Sequence, residues 1–187
     1  MRRETGDYRG AAQVLEQALA TYRDLGDRRG QANALTEIGN VRRETGDHGG
    51  AAQALEQALA IYRDLGHRLG QANALLCLGI LRRATGDYQG AAGDLAQALA
   101  AHRDIGDRRG EAGVLNETGT LHRLRGEPAE AQAHHQQALD LARTIGSALD
   151  EAHALAGLGR CALAGGAHLT PAARGPRSAA RIRRSCY

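Results

Sequence analysis

The chain has 187 residues and a formal net charge of +3, and its 24 lysine-or-arginine positions are all arginines. Chemistry that needs a lysine amine, such as a Schiff base or the lysine of a phosphate-binding loop, is therefore excluded. Residues 1–164 carry 19 Arg against 21 acidic residues, a balance of −2, whereas residues 165–187 carry five Arg and no acid. The body of the chain is thus not built to bind a polyanion.

Cysteine usage and the N-terminal residues bear on the compartment. The three cysteines are widely spaced and include no CxxC pair, which argues against a disulfide framework or a thiolate metal site. No stretch approaches the roughly 18 apolar residues of a membrane span, and the first residues lack the apolar run of a secretion signal. We expect a soluble cytoplasmic protein, and the exclusive use of Arg points to a bacterium with a GC-rich genome.

Four segments of forty residues align without a gap, at residues 2–41, 42–81, 82–121 and 122–161. The first two share 29 of 40 residues and the first and third share 25, while the fourth keeps mainly the small and apolar positions. A fixed period of this length is typical of solenoids, in which each unit packs on its neighbours.

Each unit contains two predicted helices, because glycines recur every twenty residues and glycine commonly ends a helix. Asp7, Asp47 and Asp87 are placed to cap the helix that follows them, and Pro128 suits a first helical turn. The predicted helices span roughly residues 8–25, 28–45, 48–65, 68–85, 88–105, 108–125, 128–145 and 148–164.

Apolar side chains recur along both helices with the 3.6-residue period of a buried face. In the second helix of a unit the predicted stripe is Ala11, Leu15, Ala18, Leu19, Tyr22 and Leu25. In the first helix the predicted buried side is Ala34, Leu35, Ile38 and Val41, with Gly39 allowing a close approach by a neighbouring helix.

These residues resemble the tetratricopeptide repeat family over about residues 1–166. The forty-residue period resembles the longer variant found in kinesin light chains and in bacterial regulators and signalling ATPases. The resemblance implies an all-α solenoid, a right-handed superhelix of antiparallel helical hairpins. The family's conserved small, turn and aromatic positions correspond to Gly39, Gly79, Gly119 and Gly159, to Gly46 and its equivalents, to Tyr8 and Tyr88, and to Ala51, Leu55 and Ala58.

Several positions depart from the family pattern. His48 and Pro128 replace the aromatic residue, His135 replaces the leucine of the second helix, and Pro171 falls where a fifth unit would need a small residue. We therefore expect an array over residues 1–164 whose two terminal units are incomplete, followed by a basic, disordered tail at residues 165–187.

In the resembled family the first helices line a concave groove that binds peptides or helices of partner proteins. Amides can pair with a peptide backbone and Arg with a carboxylate, so the predicted ligand exposes backbone groups and acidic side chains. The alternative is an ordinary solvated helix face. The predicted groove residues, which share one face by their spacing, are Asn33, Thr36, Asn40, Arg43, Asn73, Leu76, Ile80, Arg83, Asn116, Thr120 and Arg123.

Other candidate sites carry weaker signals. Leu76, Cys77 and Ile80 form either an anchor pocket or a structural helix contact. No histidines lie four apart on a helix, so we expect no metal or cofactor and interpret His122, His134 and His135 as polar surface positions. A glycine pattern at residues 157–162 lies within a predicted helix without a preceding strand, which argues against a dinucleotide site.

The sequence thus predicts a non-enzymatic module for protein–protein interaction. A second reading is the sensor or assembly arm of a larger transcriptional or nucleotide-dependent signalling protein. A third is salt-dependent contact between the basic tail and nucleic acid or an acidic membrane. The incomplete terminal units also predict bare apolar faces, so that helix 148–164 of one chain docks beside helix 8–25 of another, or the caps come from further domains of a longer protein.

Overall fold

The structure is a computed structural model that describes residues 8–166, with the side chains of residues 165 and 166 left aside. Over this range the chain forms helices and no strand, which confirms the predicted all-α fold and its helix boundaries to within about two residues. Asp7 and the basic tail from residue 167 lie outside the described range. The helices are α1 (Tyr8–Asp24), α2 (Arg28–Glu44), α3 (His48–Asp64), α4 (Arg68–Thr85), α5 (Tyr88–Asp104), α6 (Arg108–Leu124), α7 (Pro128–Ile145) and α8 (Ala148–Gly166).

Each helix packs on the next helix in the chain, and the even-numbered helices also contact one another. The closest pairs are the hairpins α2–α3, α4–α5 and α6–α7. Contacts therefore run only between near neighbours, as expected for a solenoid. One side of the array is lined by α2, α4, α6 and α8, and we call it the inner face.

The turns follow the twenty-residue spacing of the glycines. Gly86 ends α4 with φ +88°, a left-handed conformation that glycine adopts without the strain of a Cβ. At the start of α3 the Asp47 carboxylate accepts a hydrogen bond from the Gly50 backbone N–H at 2.9 Å. His67 takes the same capping role for α4 through Nδ1, which the sequence reading did not anticipate.

A recurring glycine on each even-numbered helix permits close packing of a hairpin. A Cβ on Gly39 would lie 2.6 Å from Leu55 Cγ, and one on Gly79 would lie 2.8 Å from Leu95 Cγ. Both leucines are almost fully buried. Each therefore acts as a knob seated in a glycine notch of the preceding helix, and the notch has no room for a side chain of its own.

The core changes character along the array. A continuous apolar cluster runs from Leu19 to Leu121, and a smaller one lies around Leu115 and Leu139. Among residues 8–166 two histidines are buried, His102 at 0% exposure and His135 at 2%. The interpretation of His135 as a surface residue was therefore wrong.

Of the first predicted stripe only Leu19 is buried, while Leu15, Ala18 and Tyr22 are partly buried, as is Val41 of α2. The other two residues of the stripe are exposed. Leu25 is 73% exposed because it follows α1 and lies in the turn. Ala11 is exposed, although its equivalents Ala51, Ala91 and Ala131 have 0% exposure. The face of α1 on which Ala11 lies is thus uncovered within the described residues. None of the eight helices is long and apolar enough to cross a membrane.

Candidate functional site

The inner face carries two clefts, one at each end of the array. The N-terminal cleft, of about 490 Å³, lies between α1 and the helices that follow it. The C-terminal cleft, of about 310 Å³, lies between α4, α6 and α8, with α7 at its floor. Seven of the eleven predicted groove residues line these clefts: Asn33, Thr36 and Asn73 line the first, and Leu76, Ile80, Asn116 and Thr120 line the second. The other four, Asn40, Arg43, Arg83 and Arg123, line neither cleft.

In the N-terminal cleft the predicted polar residues take part in packing. The Tyr62 hydroxyl of α3 donates to Asn33 Oδ1 at 2.7 Å, and Thr36 Oγ1 donates to the Ala32 carbonyl at 2.9 Å. The Asn33 amide N–H groups have no partner among residues 8–166. Asn33 and Asn73 are exposed, so both amides are accessible to a ligand.

The C-terminal cleft joins an apolar wall to polar groups. Leu76 and Ile80 of α4 form one side, while His153, Ala156 and Arg160 of α8 form the other. These three residues of α8 continue the forty-residue register of Asn33, Thr36 and Asn40. The register alone could have identified them, but the sequence prediction stopped at the third unit.

His135 lies at the floor of this cleft and is neutral at pH 7. Burial, with smaller contributions from Arg160 and Arg123, lowers the pKa of His135 to about 4. Its Nδ1 lies 3.2 Å from Asn116 Oδ1. Because a carboxamide oxygen only accepts, Nδ1 carries the proton of the neutral ring.

Asn116 is left with an unused donor. Its side chain is 8% exposed, and the buried Nδ2 atom has no hydrogen-bond partner. A buried N–H group without an acceptor carries a desolvation penalty of about 1–3 kcal/mol. A ligand oxygen entering the cleft would remove this penalty, so Asn116 marks the cleft as a place for an acceptor.

The three predicted groove arginines differ in their availability. Arg43 pairs with Glu44 at 2.7 Å, and Arg83 pairs with Glu117 at 3.0 Å across α4 and α6. Arg123 has no ion pair within residues 8–166, and neither has Arg160 of α8. The free positive charge of the inner face is therefore concentrated around the C-terminal cleft and does not extend evenly along the array.

The predicted anchor of Leu76, Cys77 and Ile80 is divided by the structure. Leu76 and Ile80 line the C-terminal cleft, whereas Cys77 lies against α2, with the Asn40 side chain as hydrogen-bond partner. Burial raises the pKa of the Cys77 thiol to about 11, although Arg43 opposes the shift. The thiol is therefore protonated at neutral pH and is a weak nucleophile.

Metal chemistry finds no support in the described part of the chain. Within residues 8–166 no three His, Cys, Asp or Glu side chains converge where they could hold a metal ion. His122 and His134 stack with ring centroids 5.0 Å apart, and His122 Nδ1 lies 2.6 Å from Glu127 Oε2. Although Glu127 contacts His122, the three side chains do not converge on a point where they could hold a metal ion.

Comparison with known proteins identifies a matching family model and solved structures of similar fold. The family model described as tetratricopeptide repeat matches residues 1–64 and 70–144. The crystal structure of BtubC (BKLC) from P. vanneervenii superposes with a TM-score of 0.66 and 21% identity, covering 97% of this chain and 82% of that one. A kinesin light chain-type protein of Podosopora anserina with nearly identical TPR-like repeats superposes with a TM-score of 0.69 and 18% identity, covering 88% and 82%. No curated protein sequence matches at a significant level. The structural likeness concerns the fold.

Proposed function

The chain belongs to the tetratricopeptide repeat family, whose members generally mediate protein–protein interactions and are generally non-catalytic, and we propose that its inner face binds a peptide segment or helix of a partner protein. The observation that carries the proposal is the C-terminal cleft. There a buried, unpartnered amide donor adjoins aliphatic side chains and unpaired arginines.

The preferred ligand combines an aliphatic residue with an acidic one. Leu76 and Ile80 supply an apolar wall for the aliphatic side chain. Arg160 and Arg123 supply charge for a carboxylate, and Asn116 Nδ2 donates to a carboxylate or backbone oxygen. The exposed amides of Asn33 and Asn73 extend the surface by pairing with the ligand backbone regardless of its sequence.

A display library of random peptides provides the probe, because the natural ligand is unidentified. Selection on the wild-type chain is expected to enrich segments with an aliphatic residue near Asp or Glu. Arg160→Gln should reduce this enrichment at least tenfold, since it removes the charge at the cleft. Arg63→Gln is the matched control, because Arg63 is exposed on α3, away from the cleft.

The proposal fails if no sequence class is enriched, or if the Arg160 and Arg63 variants enrich the same peptides equally. Asn116→Leu separates the two parts of the site. Because this change would also leave the buried His135 Nδ1–H without its acceptor, it is made together with His135→Leu and compared with His135→Leu alone. The double variant should weaken every selected peptide while leaving the acidic preference in place.

A second candidate function is that of a sensor or assembly arm within a larger bacterial regulator in the cytoplasm. The exposed Leu155 and Leu163 of α8 favour it, because they offer an apolar surface to a further domain. Sequencing the full reading frame tests this candidate, and a neighbouring nucleotide-binding or DNA-reading domain would support it.

A further inference from the structure

The two ends of the array expose complementary halves of one interface. In each internal hairpin a notch glycine on an even-numbered helix receives a knob from the next helix: Gly39 receives Leu55, Gly79 receives Leu95 and Gly119 receives His135. On α8 the equivalent notch is Gly159, and no atom of residues 8–166 lies within 4 Å of where its Cβ would stand. Within the described residues no side chain therefore fills the notch of α8.

The neighbouring apolar residue of α8 shows the same vacancy. Leu155 is 46% exposed, whereas its equivalents Leu35, Leu75 and Leu115 are 2–6% exposed. In the internal units the helices that carry these leucines, α2, α4 and α6, each pack against the odd-numbered helix that follows. The side of α8 bearing Leu155 and Gly159 is thus shaped to receive a helix of the odd-numbered type.

Helix α1 is an odd-numbered helix, and Leu15 is its knob residue. Within the described residues no notch glycine of a preceding helix receives Leu15. Leu15 is only partly buried, whereas the equivalent Leu55 and Leu95 have exposures of 0% and 1%. On the same side Ala11 is exposed and Val14 is 64% exposed. Thirteen of the 17 residues of α1 are identical to those of α3, so α1 presents the surface that α3 already uses against α2.

The N-terminal cleft is the seat for an even-numbered helix. It is walled on one side by Leu15, Ala18 and Tyr22 of α1. At the corresponding place one unit later, α2 fills the space, with Asn33 accepting from the Tyr62 hydroxyl. On α8 the position of Asn33 is taken by His153, an exposed side chain that can pair with the Tyr22 hydroxyl.

We propose that α8 of one chain docks on α1 of a second copy, seating Leu15 in the Gly159 notch and continuing the solenoid head to tail. The occupant is a second copy because one chain carries both the knob and the notch, and because the contact repeats an interface present three times within the chain.

This contact is heterologous, so it leaves one free notch and one free knob at the ends of every assembly. The docked helix occupies the N-terminal cleft, which Asn33 and Asn73 also line, but the contact does not use Leu76, Asn116 or Arg160 of the C-terminal cleft. Peptide binding at the C-terminal cleft and self-association can therefore each fail alone. Two substitutions block one end each while leaving the monomer intact, because both positions are exposed: Ala11→Arg on α1 and Gly159→Arg on α8.

The test is the mass of the full chain across a wide concentration range, measured by sedimentation velocity and light scattering. The wild type, of 19.8 kDa, is expected to exceed twice that mass at high concentration and to keep growing. Each variant alone should remain monomeric, with association weakened at least tenfold. An equimolar mixture of the two should form a dimer and nothing larger, because one free knob then meets one free notch.

Matched controls are Ala20→Arg and Gly93→Arg. Ala20 lies on α1 but at a position that stays exposed in the internal helices, as Ala60 and Ala100 show, and Gly93 is an exposed position of α5. Both variants should associate like the wild type. Circular dichroism verifies that every variant is folded. A wild-type chain that stays monomeric at every concentration overturns the proposal. So does association that survives in either single variant, which would indicate a symmetric contact or another surface, or association that a control variant also loses.

Discussion

The hairpin α2–α3 and the hairpin α6–α7 have the same backbone arrangement but are filled by different chemistry. In the first, Leu55 occupies the notch of Gly39 within a continuous apolar cluster. In the second, the His135 ring lies against Gly119 and also against Gly157 of α8, with a Cβ at Gly157 falling 2.4 Å from the ring.

The difference shows that the fold requires a side chain of suitable shape at the knob position, whereas the neighbouring residues determine whether that side chain can be polar. An imidazole is tolerated because Asn116 supplies an acceptor and Gly157 supplies space. At the corresponding places around Leu55 the chain has Thr36 and Cys77. Polarity at the knob thus depends on substitutions in two other helices, α6 and α8.

The largest effect is expected when the knob histidine of hairpin α6–α7 is introduced at the knob position of hairpin α2–α3. Leu55→His should lower the free energy of unfolding by about 3–5 kcal/mol, because it removes a fully buried leucine and leaves an imidazole without a partner. Urea denaturation measures the loss. Adding Thr36→Asn and Cys77→Gly, which copies the surroundings of His135, should restore part of it. A Leu55→His variant as stable as the wild type would show that the surroundings do not matter.

Placing leucine at the knob position of hairpin α6–α7, in His135→Leu, should change how the free energy of unfolding depends on pH. In the folded chain the pKa of His135 is about 4, below the value of 6.5 expected when unfolded. The unfolded state therefore binds more protons between these values, and stability is lost as pH falls from 6.5 towards 4, by about 3 kcal/mol. His135→Leu should remove most of this slope, as thermal unfolding across the range would reveal.

His134 provides a check on that assignment. Burial and the neighbouring His122 lower the pKa of His134 in the same direction, so a small slope should persist in His135→Leu. Replacing His134 by Gln should reduce the slope less than the His135 substitution does. An unchanged slope in His135→Leu would assign the pH dependence to other groups.

Helix capping is a smaller contrast between the two regions. Asp47 caps α3 through its side chain, whereas Glu127 before α7 makes no such bond and Pro128 occupies the first turn. Asp47→Ala should therefore cost about 1 kcal/mol of unfolding free energy, measured by urea denaturation. Asp47→Asn should retain nearly full stability, since an Asn side chain can also accept from the Gly50 N–H.

The smallest effect is expected at an exposed ion pair of the N-terminal hairpin. Arg28 and Asp64 lie 3.2 Å apart with both side chains more than half exposed, so Arg28→Ala should cost less than about 0.5 kcal/mol.

In the C-terminal half, burial would raise the pKa of Glu111, but hydrogen bonds from Arg103 and Arg108 lower it overall. Arg103→Ala should therefore cost more than Arg28→Ala in the same denaturation assay.

The fold could be predicted because its determinants are local and repeated. Glycine spacing determines the turns, as the left-handed Gly86 shows, and the apolar period determines which side of each helix is buried. Asp47 was correctly placed as a cap for the same reason. These signals act within a few residues, so they survive even in the fourth unit, where overall identity has drifted.

The site was less predictable, because its properties arise between helices that are far apart in sequence. Arg83 of α4 follows the same spacing as Arg123 of α6, yet only Arg83 pairs with a glutamate two helices further along the chain, Glu117 of α6. The burial of His135 depends on Gly157, which has no counterpart in the earlier units. When the sequence of each helix is considered separately, Arg123 and His135 are both assigned to a polar surface.

The glycine notches have a mechanical consequence. Where Leu55 and Leu95 sit against Gly39 and Gly79, main chain meets side chain without slack, so rotamer changes cannot alter the pitch from one hairpin to the next. The spacing between equivalent positions on the inner face is therefore fixed. A binding segment whose anchor residues have the same spacing binds without distortion, whereas a segment with a different spacing must bend, because the array does not adjust its length.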